Sequence, residues 1–490
     1  MSDPHANGVS RRSMLTGLGA GAGILGLAGA SSAQAASLPA PATSESFDVI
    51  VIGSGMAGCA AALEAALGGA KVVVIEKASQ SRMGGNSFLA GGSFAVPLDS
   101  GEQARADYVE DYDKYCLGRG NTEIFNLMAT HVLDDLQWLS DNGIELLPAE
   151  NRPPNRVATV QSAPAAFAGM PRLFRTIKER IESAGGVFVF DTKAKQLILN
   201  ETGGVSGVRA VGPGGVVEYR ADAVIIAAGG YAGNTQILEA YSDPNAGAMM
   251  VRGIKWATGD GLIMAQEAGA GLKGMGGLMA LHIAAVDSVE TAAGQPARVV
   301  PYAISINREG RRFVDESRGY VAHGKAVLEQ PGQTTTLVFD ESIRGSVAAP
   351  VIATFERLGL TVHQADTLEE LAGKVGAPVE EFVSTVTAFN AAVADGAAPG
   401  ATPPKATLAS RIETAPFYAF SPLAPGITLT FGGIMINENA QVLEADGRVI
   451  PGLFAAGEGA GAAFHHDYIG GGALTNCLVM GRIAGRQAAA

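Results

Sequence analysis

Residues 47–77 read FDVIVIGSGMAGCAAALEAALGGAKVVVIEK, and the order of residue types in that stretch decides the fold. Phe47 to Ile52 is a short apolar run entered through Asp48, and it passes straight into Gly53-Ser54-Gly55-Met56-Ala57-Gly58. An Ala- and Leu-rich segment over residues 59–67 has helical composition, and Lys71 to Ile75 is a second β-branched run ending in Glu76 and Lys77. Strand, glycine turn, helix and strand make a nucleotide-binding βαβ beginning. Gly53 and Gly55 permit a tight turn and let backbone lie against a pyrophosphate. Gly58 lets helix and strand pack closely, and the helix N-terminus aims its N–H groups at the anion. Glu76 closes the second strand where a carboxylate can accept both hydroxyls of a ribose. A dinucleotide site formed by Gly53, Ser54, Gly55, Ala57, Gly58, Glu76 and Lys77 is the expectation.

The next loop, Met83-Gly84-Gly85-Asn86-Ser87 with Gly91-Gly92 soon after, departs from a plain NAD domain. Glycines and small polar side chains let a loop lie along the middle of a long cofactor and bond its phosphate and ribityl groups, which suits FAD. Gly85, Asn86, Ser87, Gly91 and Gly92 are the candidates there. Further β runs, Val187 to Phe190 and Ala223 to Ala228, complete the lobe, the second bringing Ala228 and Gly229 to the site. Near the C-terminus, residues 446–461 read DGRVIPGLFAAGEGAG, and Tyr468-Ile469-Gly470-Gly471-Gly472-Ala473-Leu474 opens a helix through Gly481-Arg482. A strand ending at Gly457-Glu458 and a glycine turn into a helix aim backbone N–H groups and a positive helix end at one spot. That spot, with Ala473 and Leu474, is expected to face the flavin's pyrimidine end; a Gly-rich hairpin without a ligand is the alternative.

Composition narrows the class. With 490 residues, 47% hydrophobic, 17% charged and a formal net charge of -13, the chain suits a compact α/β enzyme. It has no clustered Lys and Arg of the kind a nucleic-acid partner requires. Cys59, Cys116 and Cys477 lack the paired spacing of a zinc site, a redox CxxC or a haem attachment, so no metal is expected and buried thiols are. At the N-terminus, Ser10-Arg11-Arg12-Ser13-Met14-Leu15, a Gly/Ala/Leu stretch and Ala33-Gln34-Ala35 ahead of Ala36 are the three parts of an export signal of the twin-arginine type. This predicts a signal over residues 1–35 read by the twin-arginine export machinery, and a linker over 36–46. An uncleaved signal acting as an anchor is the alternative.

From residue 47 onward the motifs VIGSGMAG, MGGNSFLAGG, ATGDG, INREGRRFVDES, TFGGI and IPGLFAAGE resemble the flavoprotein superfamily of soluble fumarate reductases and 3-ketosteroid dehydrogenases. The resemblance implies an α/β chain with a Rossmann-like FAD-binding domain over 47–275 and 413–490, interrupted by a smaller α+β capping domain over 276–412. The active site is expected between the two, with Asp260 of ATGDG at the cofactor. Where relatives attach flavin covalently a histidine stands at the place of Asn86, so non-covalent FAD is implied. Fumarate reductases of this kind hold two carboxylates with arginines and histidines, but three of those positions fall on Tyr320, Leu429 and Tyr468. His282 lies near a clamp histidine, one residue out of register.

The replacements resemble the ketosteroid dehydrogenase branch, matched by Asp315-Glu316-Ser317-Arg318-Gly319-Tyr320 and Tyr468-Ile469-Gly470-Gly471-Gly472. By that resemblance Tyr320 is the base, and the Tyr468 hydroxyl with the Gly472 N–H forms an oxyanion pair. A phenol of ordinary pKa near 10 needs activation, for which Arg318 and His323 are the neighbours in sequence. His282 and Tyr115 are lesser candidates, and His465-His466 either lines the mouth or forms a solvent-facing turn. The implied reaction interconverts a C–C and a C=C bond beside an electron-withdrawing group of a small-molecule substrate, written as α,β-dehydrogenation. Two alternatives stay open: an exported ene reductase for an unsaturated acid or enone, and a flavin-binding electron-transfer protein with no substrate. Lacking a haem motif, the chain needs an external electron carrier, a quinone or a cytochrome.

Overall fold

The computed structural model describes residues 38–164, 168–288 and 294–490, with only the backbone of 278–282. The expected export signal lies outside the described residues. Pro41–Ala490 form one compact unit, organised around three principal sheets.

The opening run forms a strand, Val49–Ile52, at the middle of a six-stranded sheet. Val72–Ile75 and Val187–Val189 lie to one side, Ala223–Ile226, Val449–Ala455 and Gln441–Leu443 to the other. All neighbours are parallel except the last pair. Every residue of Val49–Ile52, Val72–Ile75 and Ala223–Ile226 is buried. A parallel sheet covered on both faces requires that, which is why these strands read as unbroken apolar runs. Each buried Val or Ile contributes about 1.5–3 kcal/mol.

Helix Met56–Leu67 leaves the first strand and packs against the C-terminal helix Gly472–Ala488. The two axes come close because Gly481 and Gly485 face Ala57 and Ala61. A Cβ added at Gly481 would sit 2.4 Å from the Ala57 carbonyl oxygen, and one at Gly485 2.3 Å from that of Ala61. Across the helix, Arg482 bridges Glu64 (2.9 Å) and Asp135 with its guanidinium stacked over Trp138.

A second sheet is antiparallel, Lys193–Leu199, Val205–Gly212 and Gly215–Arg220, and it corrects one expectation. Thr43–Ser46, placed in the linker by its composition, is an edge strand that pairs in parallel with Gly215–Arg220. All four of its residues are exposed, so no apolar pattern marked it as a strand.

The third sheet is built on one long strand, Phe417–Thr430, paired with Leu278–Ala285, Thr335–Asp340, His363–Ala365 and Met250–Val251. One core beside it stacks Phe339, Phe355 and Phe420; the other gathers Phe382, Val386 and Phe389. Between them lies an ionic cluster with no solvent exposure to speak of. Glu316 accepts from Arg312 (2.9 Å), with Lys405 at 3.7 Å, and also takes the Ser305 N–H at 2.8 Å. Buried charges persist only when paired and hydrogen-bonded in this way. The cluster fixes the turn Glu316–Arg318, from which Gly319, at φ 91°, starts the helix Tyr320–Leu328.

Candidate active site

A cavity of about 660 Å³ runs along the C-terminal ends of the central parallel strands. This is where an open α/β sheet accepts ligands, because the strand-to-helix loops leave a crevice there. Gly53, Ser54, Gly55, Ala57, Glu76 and Lys77 form one stretch of its wall. Gly85, Asn86, Ser87 and Gly91 form a second, and Ala228, Gly229, Asp260, Gly457, Glu458, Ala473 and Leu474 complete that end. Gly58 and Gly92 stand behind the wall. Gly58 serves the turn itself: a Cβ there would lie 2.0 Å from the Gly53 carbonyl oxygen.

The glycine turn fits a dinucleotide on its own geometry. Gly53 has φ +103°, and a Cβ on it would meet the Ala227 carbonyl oxygen at 2.4 Å, so glycine is demanded by the protein. Gly55 is different. Its backbone is ordinary and extended (φ −68°, ψ −179°), and a Cβ on it would find no protein atom nearer than 3.7 Å. Nothing in the folded chain asks for glycine at 55, whereas a phosphate lying on the start of helix Met56–Leu67, where Met56 N–H meets Ser87 Oγ at 3.2 Å, would. Glu76 Oε2 accepts from Ser54 N (2.9 Å) and Ser54 Oγ (2.6 Å), and Oε1 accepts from Ala78 N (2.7 Å). These bonds hold the carboxylate at the wall with lone pairs left for hydroxyl donors. Asp260 joins Lys77 (2.5 Å) and Lys193 (2.7 Å); burial works against its charge, but the two cations win and lower its pKa.

Asn86 ties three segments together. Its Nδ2 donates to Thr428 O (2.8 Å) and Glu458 Oε2 (3.1 Å), and its Oδ1 accepts from Ile254 N (2.9 Å). Glu458 also accepts the Thr430 N–H at 2.9 Å, and burial pushes its pKa up. Cys477, on the same wall, is pushed by burial up to about 12 and stays a thiol.

Tyr320, Leu429 and Tyr468, the three positions read against the fumarate clamp, converge on this same cavity. Tyr468 packs its ring against Phe464, with centroids 5.5 Å apart, and burial pushes its phenol up; Tyr320 and Asp467 add to the rise and Arg252 opposes it. Tyr320 is 42% exposed, yet the protein around its hydroxyl raises its pKa through desolvation, reinforced by Asp467 and again opposed by Arg252. Both phenols therefore hold their protons at neutral pH in the free protein.

Neither neighbour suggested by the sequence is among the groups that shift the Tyr320 phenol. His323 is buried within hydrogen-bond distance of Ser305 Oγ (2.6 Å), and burial with the Lys405 charge lowers its pKa to about 3. Arg318 is exposed. The cation that bears on both phenols is Arg252, which sequence reading passed over together with Thr428, its hydrogen-bond partner at 3.0 Å. A lone arginine between apolar residues just ahead of ATGDG was the available signal. Gly472 also departs from expectation. Its N–H donates to Ile469 O (2.9 Å), and the cavity wall is made by Gly470 and Gly471 in front of it. The His282 side chain lies outside the described residues, although its backbone belongs to the strand Leu278–Ala285. Tyr115 donates to Asn155 Oδ1 (3.2 Å), and His465 and His466 stand off the cavity wall.

Comparison with known proteins bears on the fold and the family. The FAD binding domain family model matches residues 48–474. A probable fumarate reductase of Shewanella frigidimarina is 31% identical over 455 residues, which cover 91% of this chain and 75% of that protein. The open conformation of a flavocytochrome c3 fumarate reductase superposes with a TM-score of 0.78 at 29% identity, covering 92% of this chain and 78% of the other. The 3-ketosteroid-Δ4-(5α)-dehydrogenase from Rhodococcus jostii gives 0.68 at 26% identity, covering 91% and 97%.

Proposed function

The chain belongs to the FAD binding domain family, beside fumarate reductases and 3-ketosteroid dehydrogenases, and from that premise we propose which bond it acts on and with which residues. It is an FAD-dependent oxidoreductase of CH–CH bonds. Our reading is that it interconverts a C–C and a C=C bond next to a carbonyl or comparable acceptor on a small molecule.

One observation carries this reading: two phenols, Tyr320 and Tyr468, open onto the same cavity as the glycine cradle, at positions where a dicarboxylate clamp would need cations. FAD, when bound, supplies the hydride exchange with the substrate carbon. Tyr320 moves the proton at the carbon next to the acceptor. The Tyr468 hydroxyl, with the backbone of the Gly470–Gly471 turn in the place first given to Gly472, donates to the acceptor oxygen as charge builds there. Raised phenol pKa values suit both roles in the reducing direction, where each group starts protonated. In α,β-dehydrogenation Tyr320 must first lose its proton, so that direction quickens with rising pH. Residues 47–275 and 413–490 hold the cofactor in this reading, and 276–412 cap the substrate. Residues 10–36 support export by the twin-arginine route, and an external quinone or cytochrome exchanges electrons with the site. No described helix is long and apolar enough to cross a membrane.

The test is anaerobic reoxidation of dithionite-reduced protein by a panel of cyclic enones, steroid enones, unsaturated monoacids and fumarate. Rapid reoxidation by an enone or monoacid, with fumarate poor, is expected. A flavin that no compound reoxidises would leave the electron-transfer alternative, and rapid turnover of fumarate would return the chain to the dicarboxylate branch.

A further inference from the structure

Four cations line the cavity among the described residues: Lys77, Arg152, Lys193 and Arg252. Three of them lie within 4 Å of a carboxylate: Lys77 and Lys193 share the single charge of Asp260, and Arg152 meets Glu150 at 3.5 Å. Arg252 has no carboxylate within 4 Å among the described residues. Its Nη1 donates to Thr428 Oγ1 at 3.0 Å, whereas its Nε is buried and has no partner. Thr428 thus occupies Nη1, Nε is closed off within the protein, and Nη2 is the guanidinium nitrogen left to meet an anion.

The guanidinium is also held in place from behind. Met250–Val251 pairs in parallel with Gly426 and Ile427, the Arg252 and Gly253 N–H groups both reach Ile427 O (2.8 and 3.1 Å), and Ile254 N is taken by Asn86. Arginine does not lose its charge at any ordinary pH, so a half-buried guanidinium without a counter-ion carries an uncompensated desolvation penalty. An anion arriving with the substrate removes that penalty, and the field of this cation reaches both Tyr320 and Tyr468.

Resting on the function proposed above, we propose that the substrate is an unsaturated monocarboxylic acid whose single carboxylate is held by Nη2 of Arg252. Among the described residues Arg252 is the cavity cation with no carboxylate beside it, so a first carboxylate is placed there, and a second would have to compete with Asp260 or Glu150 for a cation already paired.

The experiment compares acids with their amides on the FAD-loaded protein. Cinnamate and cinnamamide, crotonate and crotonamide, and cyclohex-1-enecarboxylate and its amide are titrated against the oxidised protein, and binding is read as a flavin difference spectrum. At least one acid should bind about tenfold or more tighter than its amide, as a charge-assisted hydrogen bond to a partly buried cation requires. Arg252→Gln should abolish that preference while FAD content and flavin reduction potential stay as in wild type. Arg252→Lys, which keeps the charge and loses the guanidinium, should fall between and serves if the glutamine variant folds poorly. The proposal is overturned if no acid exceeds its amide, or if the preference survives in Arg252→Gln. It is equally overturned if the variant shifts the flavin potential and leaves the acid-to-amide ratio untouched, which would direct the guanidinium at the cofactor. Reoxidation of reduced protein by a neutral enone, with no preference for acids, would remove the carboxylate and leave the C=C chemistry standing. Failure of every compound to reoxidise it would remove both.

Discussion

Gly55→Ala separates the fold from the cofactor. The added methyl meets no protein atom closer than 3.7 Å, and its backbone angles are ordinary for any residue. The apoprotein should therefore fold as before, with stability unchanged or raised by about 0.4–1 kcal/mol because the unfolded chain loses freedom. The methyl instead occupies the space given to the pyrophosphate. An overpacking cost of about 1–3 kcal/mol corresponds to roughly 5- to 150-fold weaker FAD binding. At an FAD concentration 100 times the wild-type Kd, the cofactor stabilises wild type by about 2.7 kcal/mol; a 100-fold weaker site gains only about 0.4 kcal/mol. Gly53→Ala is the control in the opposite sense. Its Cβ meets the Ala227 carbonyl oxygen at 2.4 Å in a backbone with φ +103°, so the apoprotein itself should lose about 2–5 kcal/mol. Urea unfolding of both variants, with and without FAD, and the ratio of flavin to protein absorbance measure all four quantities. Wild-type FAD affinity in Gly55→Ala, or an apoprotein destabilised as much as that of Gly53→Ala, would refute the reasoning.

Acid precipitation of the yellow protein should leave FAD in the supernatant, since Asn86 gives its amide to Thr428, Glu458 and Ile254 and offers no attachment to the flavin; colour retained in the pellet would contradict this. Glu316→Gln should cost about 3–5 kcal/mol in urea unfolding because Arg312 and Lys405 keep their buried charges without a counter-ion, and a loss below about 1 kcal/mol would mean that the cluster is not ionic. Replacing Arg11 and Arg12 together by Lys should retain a cofactor-loaded protein inside the cell, as cell fractionation would reveal, and unchanged export would end the twin-arginine reading.

The legible part of the molecule is the part whose chemistry is local. Residues 47–77 declare strand, turn, helix and strand through apolar runs and glycines that are neighbours in sequence, and the family follows from motifs equally short. Features that depend on distant pairings were not legible. Arg252 reaches the cavity because Met250–Val251 joins Gly426 and Ile427, well over a hundred residues away, and no periodicity announces that contact. Thr43–Ser46 is hidden for the reverse reason, being an edge strand with nothing buried to give it a pattern. His323 looks like an activator of Tyr320 because it lies three residues on; the helix turns it inward to Ser305, away from the role. Gly472 is placed by motif alone, and a single turn hydrogen bond to Ile469 engages its N–H within the protein.

Tyr320, as proposed, carries the proton at the carbon beside the acceptor, and the rest of the chemistry depends on it. The direct test incubates the oxidised, FAD-loaded protein with a saturated substrate in D₂O and follows hydrogen exchange at that carbon by NMR. Wild type should exchange it. Tyr468→Phe should exchange it about 10² to 10³-fold more slowly, having lost a donor to the oxygen. Tyr320→Phe should not exchange it measurably, and should lose roughly 10² to 10⁴ in turnover while its flavin loading is intact. Exchange at the wild-type rate in Tyr320→Phe would contradict the assignment.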